Sequence, residues 1–86
     1  KPTTMVHVYV LISEDGQHRY TGMSENIERR LTQHNAGFNR STKPFMPWKL
    51  VYSEGHQRRA IARQREKYLK SAAGRKWLQK NHGINI

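Results

Sequence analysis

The sequence contains no cysteine, which removes disulfide staples, thiolate zinc sites and thiol nucleophiles from its possible chemistry. Acidic groups are scarce: six Asp and Glu stand against sixteen Lys and Arg, a formal net charge of +10 on 86 residues. Long apolar runs are missing as well. The longest, Val8–Ile12, falls far short of the roughly 20 residues that span a bilayer. No stretch has the layout of a secretory signal, so the expected location is cytoplasmic with no membrane partner. The five histidines, at positions 7, 18, 34, 56 and 82, are too scattered for the spacings of about two to five residues that zinc sites favour. A histidine-built metal centre is not expected.

What remains describes one small domain, near the size at which a lone chain only just buries enough surface to fold. Residues 5–81 are read as that domain, 1–4 as an N-terminal tail and 82–86 as a C-terminal tail. The charge predicts a polyanionic partner, and it is lopsided. Residues 1–43 carry six basic and four acidic side chains, residues 44–86 ten and two. Nucleic acid is the expected partner, gripped through phosphates in a salt-sensitive way. Phe38, Phe45, Trp48 and Trp77 are candidates for stacking on bases, although the two tryptophans equally suit a core.

Alternation of Val6, Val8, Val10 and Ile12 with intervening residues, rich in β-branched types, predicts a strand buried on both faces. Asp15-Gly16 marks a hairpin turn into a second extended run, His18–Ser24. Ile27, Leu31 and His34 then share one helical face, with Glu25 and Glu28 in the first turn and Gly37 as the stop. Residues 37–47 read as loop, Trp48–Ser53 as a third strand and Gln57–Ser71 as a helix with an apolar arc of Ile61, Ala62, Tyr68, Leu69 and Ala72. Arg65 falls in the middle of that arc, which requires it to snorkel or the arc to be narrower. Gly74 punctuates, and Arg75–Asn81 forms a short terminal helix. The predicted class is α+β, a small three-stranded, mostly antiparallel sheet flanked by helices in the order β-β-α-β-α-α. Periodicity leaves the place of the third strand open.

Several side chains stand out. Tyr9 lies on the first strand; Tyr20, Thr21 and Gly22 lie on the second, where a glycine marks a bulge or a close approach. Arg30 and His34 share a face of the first long helix. Glu66 is one of two acidic groups after residue 43 and borders the apolar arc, so it needs a cationic partner or a metal. Taken singly, each has an ordinary explanation: sheet aromatics, a solvated helix face, a Glu66–Lys70 surface pair.

Taken in order, they resemble the GIY-YIG nuclease domain. His7-Val8-Tyr9 corresponds to the first signature and Tyr20-Thr21-Gly22 to the second. Arg30 and His34 follow, and Ala60–Ser71 matches the helix that carries the family's glutamate, here Glu66. The connector from Ser41-Thr42-Lys43-Pro44 to Trp48–Tyr52 is similar to small stand-alone bacterial members, and the whole is similar to the N-terminal domain of the excision-repair nuclease. The likeness spans Met5 to Leu78. His7 stands where the family has its first glycine, and the downstream asparagine of larger members has no counterpart.

The resemblance implies a divalent-metal-dependent endonuclease that hydrolyses DNA phosphodiester bonds. Glu66 would hold Mg²⁺ or Mn²⁺ and Arg30 would stabilise charge on the phosphate. Tyr9 would activate or position water, Tyr20 would bond phosphate or water, and His34 would relay a proton or touch phosphate. Tyr9 would need Arg30, Lys70 or the metal nearby, since an unperturbed tyrosine, with a pKa of about 10, is a poor base at neutral pH. Arg29, Arg40, Lys43, Arg63, Lys67 and Lys70 are the expected nucleic-acid contacts. No element has a base-reading arrangement, so recognition should follow structure rather than sequence, in branched or damaged DNA of repair or recombination. The alternatives are a non-catalytic basic binding module, or a nuclease domain that needs a protein partner for specificity.

Overall fold

In the computed structural model, which describes residues 4–85, the alternating run Val6–Ser13 forms β1 and Arg19–Ser24 forms β2. These are followed by α1 (Ile27–Asn35), a short 3-10 turn (Lys43–Phe45), β3 (Trp48–His56), α2 (Arg59–Lys70) and α3 (Ala72–His82). The order is the predicted one. β1 is central, pairing antiparallel with β2 on one side and β3 on the other, so the sheet is wholly antiparallel.

The period-two pattern of β1 divides the core. Val6, Val8 and Val10 pack with Ala62, Leu69, Leu78 and Ile84 under α2 and α3, while Tyr9, Leu11 and Trp48 pack with Ile27 and Leu31 of α1. A strand covered on both faces reads as a continuous apolar run, as this one does. Between Val10 and Leu11 the register to β3 jumps from Tyr52 to Leu50, a bulge that leaves Val51 unopposed.

Boundaries differ from expectation for local reasons. Asn26 accepts a hydrogen bond from the Arg29 amide at 3.0 Å and caps α1, so Glu25 precedes the helix instead of loading its first turn. β3 continues past Ser53 because Glu54, Gly55 and His56, weak strand formers, find partners in Val8, His7 and Val6. Ser71 ends α2, and its hydroxyl accepts from the Gly74 amide to start α3 at Ala72. Gly74 is therefore no punctuation mark. It is buried inside the first turn of α3, where a Cβ would lie 1.9 Å from the Tyr68 carbonyl oxygen.

Residues 82–86, read as a tail, open with the last residue of α3, and Ile84 is buried in the core. Gly83, at φ 68°, turns the chain back to place it there. The apolar arc of α2 is narrower than drawn: Ala62 and Leu69 are buried, whereas Ile61 and Tyr68 are exposed. Arg65 sits at its edge and bonds Glu54 of β3 through Nε at 2.9 Å. No helix among the described residues is long and apolar enough to cross a membrane.

Candidate active site

Tyr9 of β1 stands opposite Gly22 of β2. A Cβ on Gly22 would lie 2.8 Å from the Tyr20 ring and 2.9 Å from the Tyr9 hydroxyl, closer than real contacts allow. Glycine is thus what lets the two phenols close over the strand, with ring centroids 6.2 Å apart. The motif glycine is a steric requirement of the tyrosine pair.

α1 delivers His34 beneath them. Its Nε2 lies 3.2 Å from the Tyr9 hydroxyl, and its ring centroid 4.7 Å from that of Tyr20. On its other side Nδ1 lies 2.9 Å from the Thr42 hydroxyl, which in turn donates to the Asn39 carbonyl at 3.3 Å. With its only proton so directed, Thr42 accepts from Nδ1–H, and Nε2 is left as an acceptor for Tyr9. Burial lowers the His34 pKa from its ordinary 6.5, helped by the Arg30 charge, so the ring is neutral at neutral pH.

Thr42 is the member of this hydrogen-bonded cluster that sequence reasoning missed. Only the likeness of the Ser41–Pro44 connector pointed at that segment, and nothing in its spacing tied a loop threonine to a helix histidine. The loop is held by a second pair of contacts: the Trp48 indole donates to the Thr42 carbonyl at 2.8 Å, and the Asn35 side chain clamps the Trp48 backbone through both its carbonyl oxygen and its amide. Trp48 is a core residue, 5% exposed, and no stacking surface.

Arg30, one turn before His34, donates to Gln33 at 2.8 Å and lies beside the phenols. The Tyr9 hydroxyl raises its pKa above the ordinary guanidinium value, leaving the group permanently charged. Tyr9 answers mainly to burial, which raises its pKa above 10.0; Arg30 pulls it down, and Tyr20 and Glu66 add to the rise. Glu66 of α2 is close enough for its charge to act on Tyr9, and its side chain is 15% exposed. Its one ionic partner among the described residues is Lys70 at 3.3 Å, which is 55% exposed. The fold therefore brings Tyr9, Tyr20, Arg30, His34 and Glu66 into one neighbourhood.

The expected nucleic-acid contacts divide. Arg40 lines a cleft of about 460 Å³ with Arg30, Gln33 and His34, and Phe38 stands 75% exposed at its rim. Arg63, Lys67 and Lys70 are exposed on the stripe of α2 that carries Glu66. Arg59, one turn earlier on that stripe, belongs with them but is paired with Glu25 at 3.2 Å. Lys43 is exposed in the 3-10 turn. Arg29 is not brought to the cleft; it lines a separate hollow beside Glu28.

Among the described residues no three His, Asp or Glu side chains converge on one point. The donor set fits a hard cation held by one carboxylate and completed by water and substrate phosphate, as Mg²⁺ often is, and does not fit a cation that needs an all-protein cage.

Comparison with known proteins identifies the family of the chain. Residues 5–81 match the GIY-YIG catalytic domain. A UPF0213 protein of Clostridium perfringens is 37% identical over 76 residues, covering 87% of this chain and 81% of its own. Another, from Natronomonas pharaonis, is 39% identical over 66 residues, 76% of each chain. The solution NMR structure of a UPF0213 protein from Bacillus halodurans superposes with a TM-score of 0.55 at 26% identity, over 92% of this chain and 87% of that one.

Proposed function

Because this chain belongs to the GIY-YIG catalytic-domain family, a family of nucleases, we propose that it hydrolyses DNA phosphodiester bonds with a divalent cation held at Glu66. The observation that supports this best is the Tyr9–His34 hydrogen bond at 3.2 Å, with Arg30 beside it and Glu66 within electrostatic reach. A cation bound there supplies Lewis-acid charge at the phosphate and at the leaving oxygen.

The chain's own residues divide the remaining work by exposure. Tyr20, Arg30 and Glu66 are half-buried and meet the substrate; Tyr9 and His34, at 1% and 0% exposure, act behind them. Arg30 stabilises charge that develops on the phosphate oxygens. Its movement onto a bound phosphate opens the neighbouring Tyr9 hydroxyl to the attacking water, which Tyr20 positions. A free Tyr9 phenolate is disfavoured by burial. Passing the Tyr9 proton to neutral His34 Nε2 as Tyr9 takes one from water avoids that species. A fully buried His34 has no surface for phosphate, so relay is its role, with Thr42 holding the tautomer.

Exposed Arg40, Lys43, Arg63 and Lys67 contact backbone phosphates, with Lys70 alternating between Glu66 and DNA. The reading extends to structure-directed cutting in the cytoplasm during repair or recombination, with a protein partner adding specificity. The test is nicking of supercoiled and branched DNA in Mg²⁺, Mn²⁺ or EDTA by the parent, Glu66→Ala and Arg30→Ala. Metal-dependent cutting by the parent alone is expected. Salt-sensitive binding by a parent that cuts no substrate would leave a basic binding module or a nuclease domain that needs its partner.

A further inference from the structure

Beyond the Tyr9–His34 cluster, on the far side of Tyr20, lies a second cleft of about 430 Å³ that shares Tyr20 as a wall. Arg19, Gln17 and Ser41 line it, with Arg75 from the first turn of α3. Arg19 is half-buried, and its Nη1 is sequestered with no hydrogen-bond partner among the described residues. Among the described residues neither arginine takes part in an ion pair; the ion pairs that arginine forms there use Arg59 and Arg65. Burial lowers the Arg19 pKa, and Arg75 lowers it further, a mark of two like charges left near each other.

A sequestered guanidinium N–H without an acceptor costs free energy, and an adjacent second cation adds to the cost. An anion between the two removes both penalties at once. Guanidinium forks match the geometry of phosphate oxygens, the anion a nucleic-acid protein meets most often. We propose that Arg19 and Arg75 form a subsite for a non-scissile phosphate of the nucleic-acid strand, placed by Tyr20 next to the bond to be cut. This deepens the nuclease reading and rests on it for the strand's direction of approach. The His18 ring, stacked on Phe45 with centroids 3.7 Å apart, forms the lip of the cleft on the same strand path.

The test measures binding of a labelled DNA oligonucleotide by fluorescence anisotropy in EDTA, so turnover plays no part, across a KCl series. Arg75 is exposed, and Arg75→Gln is expected to keep the parent's circular-dichroism spectrum. It should weaken binding on the order of tenfold and flatten the slope of log K against log salt by about 0.9 for a duplex or 0.7 for a single strand. Arg19→Gln should match it, but Arg75→Gln alone decides if Arg19→Gln is poorly folded. A scan of single methylphosphonates should find one position whose neutralisation weakens the parent and adds nothing to Arg75→Gln. An unchanged slope, or no such position, overturns the subsite. A parent that cuts DNA while Arg75→Gln binds normally sinks the subsite and leaves the nuclease reading standing; a parent that never cuts, with the slope flattened by Arg75→Gln, does the reverse.

Discussion

Glu54 and Glu66, the two carboxylates after residue 43, are equally sheltered, at 16% and 15% side-chain exposure, yet only Glu54 has its oxygens filled. The Tyr52 hydroxyl donates to it, the His56 ring lies 2.6 Å away and Arg65 Nε reaches both oxygens, at 3.1 and 2.9 Å. The Arg65 guanidinium is itself seated 4.4 Å from the Trp77 ring centroid and 5.0 Å from that of Tyr68. Among the described residues Glu66 has one polar partner, a mostly exposed lysine. A sheltered carboxylate with every lone pair occupied ties elements together; one with lone pairs to spare is where a ligand can bind. The first joins β3 to α2 and α3, and the second sits beside the tyrosine pair.

Substitutions separate the two most sharply. Glu66→Gln should lower DNA cleavage about a thousandfold, in the range of lost transition-state contacts, and leave the thermal midpoint nearly unchanged. Glu54→Gln should do the opposite: cleavage per folded molecule is kept, while stability falls by about 1–3 kcal/mol, or about 4–8 °C per kcal/mol in a domain of this size. If Glu54→Gln abolished cleavage at full folding, the contrast would collapse. The arginines follow their acids. Arg30→Ala should cost about a hundredfold in turnover, and Arg65→Ala should appear mainly as a lower urea midpoint.

Two glycines sharpen the same contrast by sterics. In Gly22→Ala the new methyl meets side chains, the Tyr20 ring at 2.8 Å and the Tyr9 hydroxyl at 2.9 Å, which must tilt away. Misplacing those hydroxyls should cost up to about a hundredfold in turnover. In Gly74→Ala it meets backbone, the Tyr68 carbonyl oxygen at 1.9 Å, so α3 must move. Destabilisation of about 1–3 kcal/mol or more is expected, without a specific effect on cleavage.

The smallest effect is in pH dependence. The His34 pKa is lowered on folding, so the unfolded chain takes up that proton first. Its contribution is complete above the ordinary 6.5 and is lost as pH falls from there through the folded value. For Glu54 burial alone would raise the pKa, but bonds from Tyr52, His56 and Arg65 outweigh it and hold the carboxyl below 4.5. Its contribution is complete above 4.5 and is lost as pH falls through the folded value, a more acidic window. Urea midpoints taken from pH 8 to pH 3 should therefore decline in two steps, with His34→Gln removing the first and Glu54→Gln shrinking the second, which Asp15, held below 3.8 by hydrogen bonds from Ser13 and Gln17, shares.

Much of this was legible in the residues. The strand of alternating valines, the Asp15-Gly16 turn, the Ile27–Leu31–His34 face and the order of elements follow from local chemistry, as does the lone pairing of Glu66 with Lys70. Less was legible where distant segments meet. Arg65 read as a flaw in an apolar arc because its partner, Glu54, lies on another element, and Gly74 read as a stop because the carbonyl it must clear belongs to the end of the preceding helix. Ile84 followed a histidine-glycine stop and read as tail, yet it closes the core.

The sequence by itself determined the chain's class, its basic character and the order of its elements, because periodicity, capping and charge act over a few neighbouring positions. Only the tertiary structure decided that Thr42 orients His34, that Gly22 exists to admit two tyrosines, and that Arg19 and Arg75 share a cleft. Those relations depend on register across the sheet and on packing between helices, where a hydrogen bond or a steric gap is made by residues that local sequence does not place side by side.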